Sequence, residues 1–304
     1  MWPFLYTIKK QLDDEIGNPT RLIQLIRSNP SFSSPLPIPN PSIAIQDMIQ
    51  WDQWYPSSYA SYGDIRISKV GYPGFGSPIN RKDLANLTEC ETTDNWHCPI
   101  RQVEGLLASK SDLTKFLSID DFATTISPEL ISDVTLRGIL KSLAHGEIRI
   151  LRDEYDRKSD FFIRYPWDSN RIFLINSGGS HHFSAARYLA YHLDYRIVLT
   201  GKLKTYRLIP EAVRTLTNDF DLYSVPKSLF NGLSDVLHDF SAPFGIYSLP
   251  RPYHNHTMIL LPRDNERSIK ASSVMRKHGT PNIADLINLS LNKQYQNERR
   301  FILS

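Results

Sequence analysis

The chain has 304 residues, of which 41% are hydrophobic and 22% charged, with 20 prolines and 14 glycines. A compact fold of that length buries roughly three quarters of the surface its unfolded chain exposes, which excludes a small scaffold held by disulfides or a structural metal. The net charge of +3, from 35 basic and 32 acidic residues, is too small to announce a nucleic-acid binder on composition alone and leaves a local basic patch open, and no run approaches the ~20 apolar residues of a membrane span.

The first ten residues place their lysines after a very short apolar run, the reverse of a secretory signal, so a cytoplasmic protein is expected. Leu5, Ile8, Leu12 and Ile16, then Leu22, Leu25 and Ile26, are spaced as in helices, and Gly17-Asn18-Pro19 divides them into two. Alternating prolines between Ser31 and Pro41 fix φ and remove donors, which leaves an extended arm. Trp51, Trp54, Tyr55, Tyr59 and Tyr62 read as a small aromatic core, with base stacking by Trp51, Trp54 and Tyr55 as the alternative. Asp64 to Val70 alternates like a half-buried strand, and the glycine-rich Gly71 to Gly76 ends it as a loop.

Val103, Leu106 and Leu107, then Leu113, Phe116 and Leu117, carry helical spacing from 103 to 117, as one helix or as two short pieces divided by polar Ser109-Lys110-Ser111-Asp112. Residues 126 to 143 read as a helix opened by Ser127-Pro128-Glu129 and closed by His145-Gly146. Strands are expected at 148–151, 161–165 and 171–175, the last two joined by a turn at 166–170. A helix over 181–193 should bury Phe183, Ala186, Ala190 and Leu193. Two strands, 196–199 and 203–208, flank Thr200-Gly201-Lys202; a helix over 227–240, a hairpin through 251–256 and a helix over 267–277 complete the expected order. Residues 263–304 hold eight Lys and Arg against four acids, so the basicity sits at one end. That segment reads first as a solvated surface and second as a nucleic-acid contact.

Chemistry concentrates in Asn176-Ser177-Gly178-Gly179-Ser180-His181-His182, between a strand and a helix. Small residues let the backbone approach a ligand, and the first free amides of the helix favour a phosphate or other anion. Ser177, Gly178, Gly179, Ser180 and Arg187 are the expected phosphate-binding residues, and His181, His182 and Asp168 the expected catalytic ones. Phosphoryl or nucleotidyl transfer suits such a site, because it depends on positioning and charge stabilisation. It requires a carboxylate to hold Mg²⁺ or orient a nucleophile, and Asp160 and Glu147 stand beside Asp168 as candidates. Arg251, His254 and His256 form a second tier; a metal site of His181, His182, His254 and His256 requires the hairpin to fold over the loop, and no metal ligand is assigned. Cys90 and Cys98, seven residues between them, have neither zinc-ligand spacing nor a disulfide expected in the cytoplasm.

Gly178-Gly179-Ser180-His181-His182 resembles the Gly-Gly-Cys-His-Arg loop of sulfiredoxin and the Gly-x-x-Arg loop of ParB-type proteins. The resemblance covers roughly residues 126–210 and implies a nucleotide held by its phosphates at the helix N-terminus. It departs where sulfiredoxin has its catalytic cysteine, here Ser180, and where both groups have a phosphate-binding arginine, here His182. The chain also resembles an uncharacterised bacterial family with an Asn-Ser-Gly-Gly-Ser-His-His-Phe stretch.

The expected fold is α+β, with three regions. Residues 1–125 are helical and aromatic with the proline-rich arm, 126–215 form the ParB/sulfiredoxin-like core, and 216–304 form a helix-hairpin-helix extension. The expected function is binding of a nucleotide or phosphorylated small molecule, with Mg²⁺ accompanying a nucleotide, and phosphotransfer or nucleotide hydrolysis. The alternative is a non-catalytic adaptor that binds nucleic acid or protein; no membrane partner is expected.

Overall fold

In the computed structural model, which describes residues 13–54, 63–68, 74–151 and 160–303, helices and sheets are mixed along the chain. The strands in order are β1 (Asp64–Ile65), β2 (Ile79–Asn80), β3 (Thr88–Pro99), β4 (Val103–Leu106), β5 (Phe161–Arg164), β6 (Ile172–Ile175), β7 (Val198–Leu208), β8 (Phe220–Pro226), β9 (Gly245–Ser248) and β10 (His256–Pro262). Contacts divide the chain into two compact units. One contains residues 1–38, 51–87 and 208–291; the other contains 39–50, 88–207 and 292–304.

The first unit is built on a three-stranded antiparallel sheet in the order β8-β10-β9. Tyr223, Val225, Ile259 and Leu261 on its inner face pack against Leu22 and Ile26 of the Thr20–Ser28 helix, Leu233 and Leu237 of Phe230–Asp239, and Ala271 and Met275 of Glu266–Lys277. The hairpin through 251–256 and the helix beginning at Glu266 are where the sequence puts them. Trp51 and Trp54 are buried, the indole of Trp51 donating to Ser290 Oγ and that of Trp54 to Ser248 O, so they are core residues. Tyr55, Tyr59, Tyr62, the first expected helix up to residue 12 and residues 71–73 of the 71–76 loop lie outside the described residues.

The second unit carries a five-stranded sheet in the order β3-β7-β5-β6-β4. β5 and β6 form the expected hairpin, with Phe161 opposite Ile175 and Arg164 opposite Ile172. β4 lies parallel to β6 and β5 parallel to β7. Over this sheet lies the helix Ser180–His192, the site helix, packed on Ile119–Ile126 and Leu136–Leu143. Its Phe183, Ala186, Leu189 and Ala190 meet Phe122, Ile139 and Val103 in one core. Complete burial of a side chain such as Phe183 contributes about 1.5–3 kcal/mol, and the alanines let the backbones approach.

Several local expectations are corrected. Residues 103–117 are not a helix: Val103–Leu106 is a strand and Leu113–Lys115 a 3₁₀ turn. An irregularity between Val103 and Gly105 turns Val103, Gly105 and Leu106 all inward, a burial pattern that imitates helical spacing. The phenyl ring of Phe173 lies over Gly105, where a Cβ would stand 2.3 Å from it, so only glycine fits. The expected 126–143 helix is two pieces, a 3₁₀ turn at Pro128–Ile131 and a helix at Leu136–Leu143, because Thr135 supplies the N-cap through its Oγ1 and Gly138 N. Residues 149–151 form a 3₁₀ turn in place of a strand, and β7 runs unbroken through Thr200-Gly201-Lys202. Leu193 lies beyond the end of the site helix and is 38% exposed. The order does not stop at residue 277, since a helix spans Ile283–Leu303.

Candidate functional site

β6 is buried along its length and delivers Asn176 into the interior. Asn176 Oδ1 accepts the amides of Leu107 and Ala108 at 3.1 Å each, while Nδ2 donates to Ala108 O at 2.8 Å and Gly178 O at 3.0 Å. This one side chain clips the segment after β4 to the glycine loop. Asp160, buried at the head of β5, accepts Ser177 N at 3.2 Å and Ser177 Oγ at 3.0 Å.

Gly179 turns the chain into the site helix with φ +70°, a left-handed conformation suited to glycine. A Cβ there would stand 2.9 Å from Glu147 C and from Ile148 Cγ1, so the loop also rests directly on the 147–148 backbone. The Glu147 carboxylate accepts Gly179 N at 3.2 Å. The site helix has no side-chain cap, and its first backbone bond runs from Phe183 N to Gly179 O. Among the described residues the amides of Ser180, His181 and His182 have no acceptor, so three donors carrying the positive end of the helix dipole are free.

These amides stand at a cleft of about 450 Å³ lined by residues 177–182 together with Ser109, Lys110, Glu129, His145 and Glu147, within the usual size of small-molecule pockets. The rings of His145 and His182 stack at 3.8 Å and 15°. His145 Nδ1 accepts Glu147 N at 3.4 Å, which leaves the proton of its neutral form on Nε2. His182 Nδ1 is buried with no partner among the described residues; a lone pair is cheaper to bury unpaired than an N–H, so its proton is assigned to Nε2 as well. Burial, then the neighbouring His145 and His181, hold the His182 pKa below its ordinary value, against the opposing charges of Glu147 and Glu129. Burial likewise lowers His181, with Glu129 opposing and Lys110 assisting. Both shifts favour the neutral imidazole of His181 and His182 near pH 7.

The segment after Ala108 is stitched to the first turn of the site helix. Ser180 Oγ donates to Ser109 Oγ at 2.9 Å, Ser111 N donates to Ser109 Oγ at 3.1 Å, and Ser111 Oγ lies 3.2 Å from His181 Nε2. The His181 ring leans on Phe122 at 5.4 Å.

Of the residues expected from sequence, Ser177, Gly178, Gly179, Ser180, His181 and His182 converge on the cleft, and Glu147 joins them. Asp168 does not: it sits on the turn before β6, beside Ser169 Oγ at 2.7 Å and Arg171 at 3.8 Å, at the end of that strand remote from the loop. Four strand residues, about 13 Å, separate the two ends. Arg187 is committed elsewhere, donating to Val103 O at 2.8 Å and Arg101 O at 3.2 Å and pairing with Asp120. Arg251, His254 and His256 belong to the other unit. Among the described residues no group of three or more His, Cys, Asp and Glu is arranged to hold a metal ion. Sequence reasoning missed Ser109, Lys110, Glu129 and His145, which line the cleft from distant segments without a local signature, and Ser111, which meets the site through His181.

The sequence profile of a family of unknown function, DUF6685, matches residues 93–300, more than half of the chain, and the chain belongs to that family. The matched range contains every residue of the cleft. No curated protein and no solved structure matches the chain. Among the described residues no helix is long and apolar enough to cross a membrane.

Proposed function

We propose that the cleft at the head of the site helix binds a small phosphate-bearing molecule, in the first instance a nucleotide, and acts on it by phosphotransfer or hydrolysis. The observation that carries this reading is the set of three uncapped amides, Ser180 to His182, opening beside Lys110 and the Nε2–H groups of His145 and His182. Backbone amides, an ammonium group and imidazole N–H donors together form an oxyanion-binding set. Glu147 marks the same seat from the protein side, its carboxylate already resting on Gly179 N. A phosphate would take the free amides next to it, and the Glu147 and Glu129 carboxylates are hard oxygen donors of the kind that hold Mg²⁺. When bound, Mg²⁺ would neutralise phosphate charge. The reading of residues 126–215 as a ParB/sulfiredoxin-like core is part of this proposal, with His182 donating where that superfamily uses arginine.

Thermal unfolding with ATP, ADP, CTP and GTP, each with and without Mg²⁺, tests it on wild type, Lys110→Ala and His182→Ala. A ligand at a hundred times its Kd stabilises by ~2.7 kcal/mol. The expected result is a shift with at least one nucleotide that shrinks in both variants. No shift with any nucleotide removes the reading and leaves the non-catalytic adaptor in its place.

A further inference from the structure

The Ser111 hydroxyl and His181 imidazole are in direct contact at 3.2 Å, oxygen to Nε2, on the segment that Ser109 fastens to Ser180 at the first turn of the site helix. A serine hydroxyl is a weak nucleophile unless a base takes its proton, and an imidazole nitrogen within hydrogen-bond reach is the base most often used. We infer that Ser111 is a nucleophile toward phosphorus and His181 its general base. The inference rests on the phosphate reading of the cleft for the nature of the electrophile, and on the Ser111–His181 contact for the nucleophile.

The step balances without a further reactant. Ser111 Oγ bonds to phosphorus as the bond from phosphorus to the leaving oxygen breaks. The hydroxyl proton passes to His181 Nε2, and the leaving oxygen departs with the bonding pair. The free amides of Ser180 to His182 stand at the same turn to receive charge that develops on the phosphoryl oxygens. Half-burial keeps His181 neutral and thus able to accept a proton near pH 7. The tilted contact with Phe122 fixes its ring.

A fluorophosphonate probe reads the nucleophile directly, since it forms the same oxygen–phosphorus bond with fluoride as leaving group. The full chain is incubated with the probe, and the labelled residue is located by peptide mass spectrometry. Labelling is expected at Ser111 and is expected to vanish in Ser111→Ala. In His181→Gln, which keeps a polar side chain but removes the base, the maximal rate of labelling should fall on the order of 100-fold with little change in probe affinity. An unchanged circular dichroism spectrum shows that each variant is folded. Folded wild type that gains no label on Ser111, or a His181→Gln protein labelled as fast as wild type, overturns the inference. Inorganic phosphate should slow labelling if the anion seat lies beside Ser111. Labelling of Ser111 that phosphate leaves unchanged upholds the nucleophile and removes the phosphate seat, so the two proposals fail separately.

Discussion

Replacing Gly179 by alanine tests the geometry that opens the cleft. The left-handed φ of +70° costs a side-chain-bearing residue about 1–2 kcal/mol. The new Cβ would also stand 2.9 Å from Glu147 C and 3.0 Å from Glu147 O, backbone atoms that cannot swing aside. Forcing such a contact adds about 1–3 kcal/mol, so the total loss is about 2–5 kcal/mol, a large part of the ~5–15 kcal/mol that holds a typical protein folded. Gly279 supplies the control: its φ is +76° and nothing lies within 4 Å of the Cβ position, so Gly279→Ala incurs only the conformational cost of about 1–2 kcal/mol. Urea unfolding followed by circular dichroism, with an unchanged slope, gives both losses. If Gly179→Ala is no more destabilising than Gly279→Ala, the close packing of the loop on the 147–148 backbone is not a feature of the protein. At Gly178 the neighbour is the Glu147 side chain at 3.1 Å, which can move; Gly178→Ala should therefore dislodge the carboxylate from Gly179 N at small cost in stability.

Arg187→Met should cost about 2–3 kcal/mol in urea unfolding, because it leaves two carbonyls and Asp120 without their charged donor, while nucleotide shifts persist; an abolished shift with unchanged stability would return Arg187 to the binding site. Stability should also fall as pH drops below the ordinary histidine value of 6.5. The unfolded chain takes up protons there that folded His181 and His182, held lower, refuse, so their contribution is complete above that value and is lost on acidification. Unfolding free energies across this range should show a shallower slope in His182→Gln. Burial pushes the Cys98 thiol up to about 12, whereas Cys90 is exposed. A maleimide should therefore modify one thiol quickly in the native protein and the second only in denaturant; two rapid modifications would contradict the burial of Cys98.

The parts of the fold that were legible in sequence are those whose burial is one-sided and regular. The site helix announces itself by a glycine turn and Phe183, Ala186 and Ala190 on one stripe, and β5 and β6 by short runs of aromatic and β-branched residues around a proline turn. β3 carries no signal, because eight of its twelve residues are exposed, seven of them consecutively from Glu89 to Asn95, leaving no alternation to detect. β4 was misread for the opposite reason, its irregular register burying three residues in four. The site divides in the same way. The glycine loop and paired histidines are contiguous and were readable, whereas Lys110 looked like a polar interruption, Glu129 like a first-turn acid and His145 like a helix stop. Asp168 is near in sequence to a strand whose other end carries the cleft, and nearness in sequence does not distinguish the two ends.

The division of the chain has a consequence for how the protein is made. The polypeptide passes from one unit to the other near residues 38, 50, 87, 207 and 291. A nascent chain halted before residue 208 has synthesised no part of the β8-β10-β9 sheet, so its first and third segments have nothing to fold upon. The unit holding the cleft has its core residues and all five strands between Ile43 and Leu208. Only its contacts with the 292–304 segment come later: Arg207 is gripped by Glu298 at 2.6 Å, and Asn297 reaches Pro166 O at 2.8 Å. Order of synthesis and order of folding therefore part company in this chain: the cleft unit can close its core while the unit begun before it still lacks its sheet.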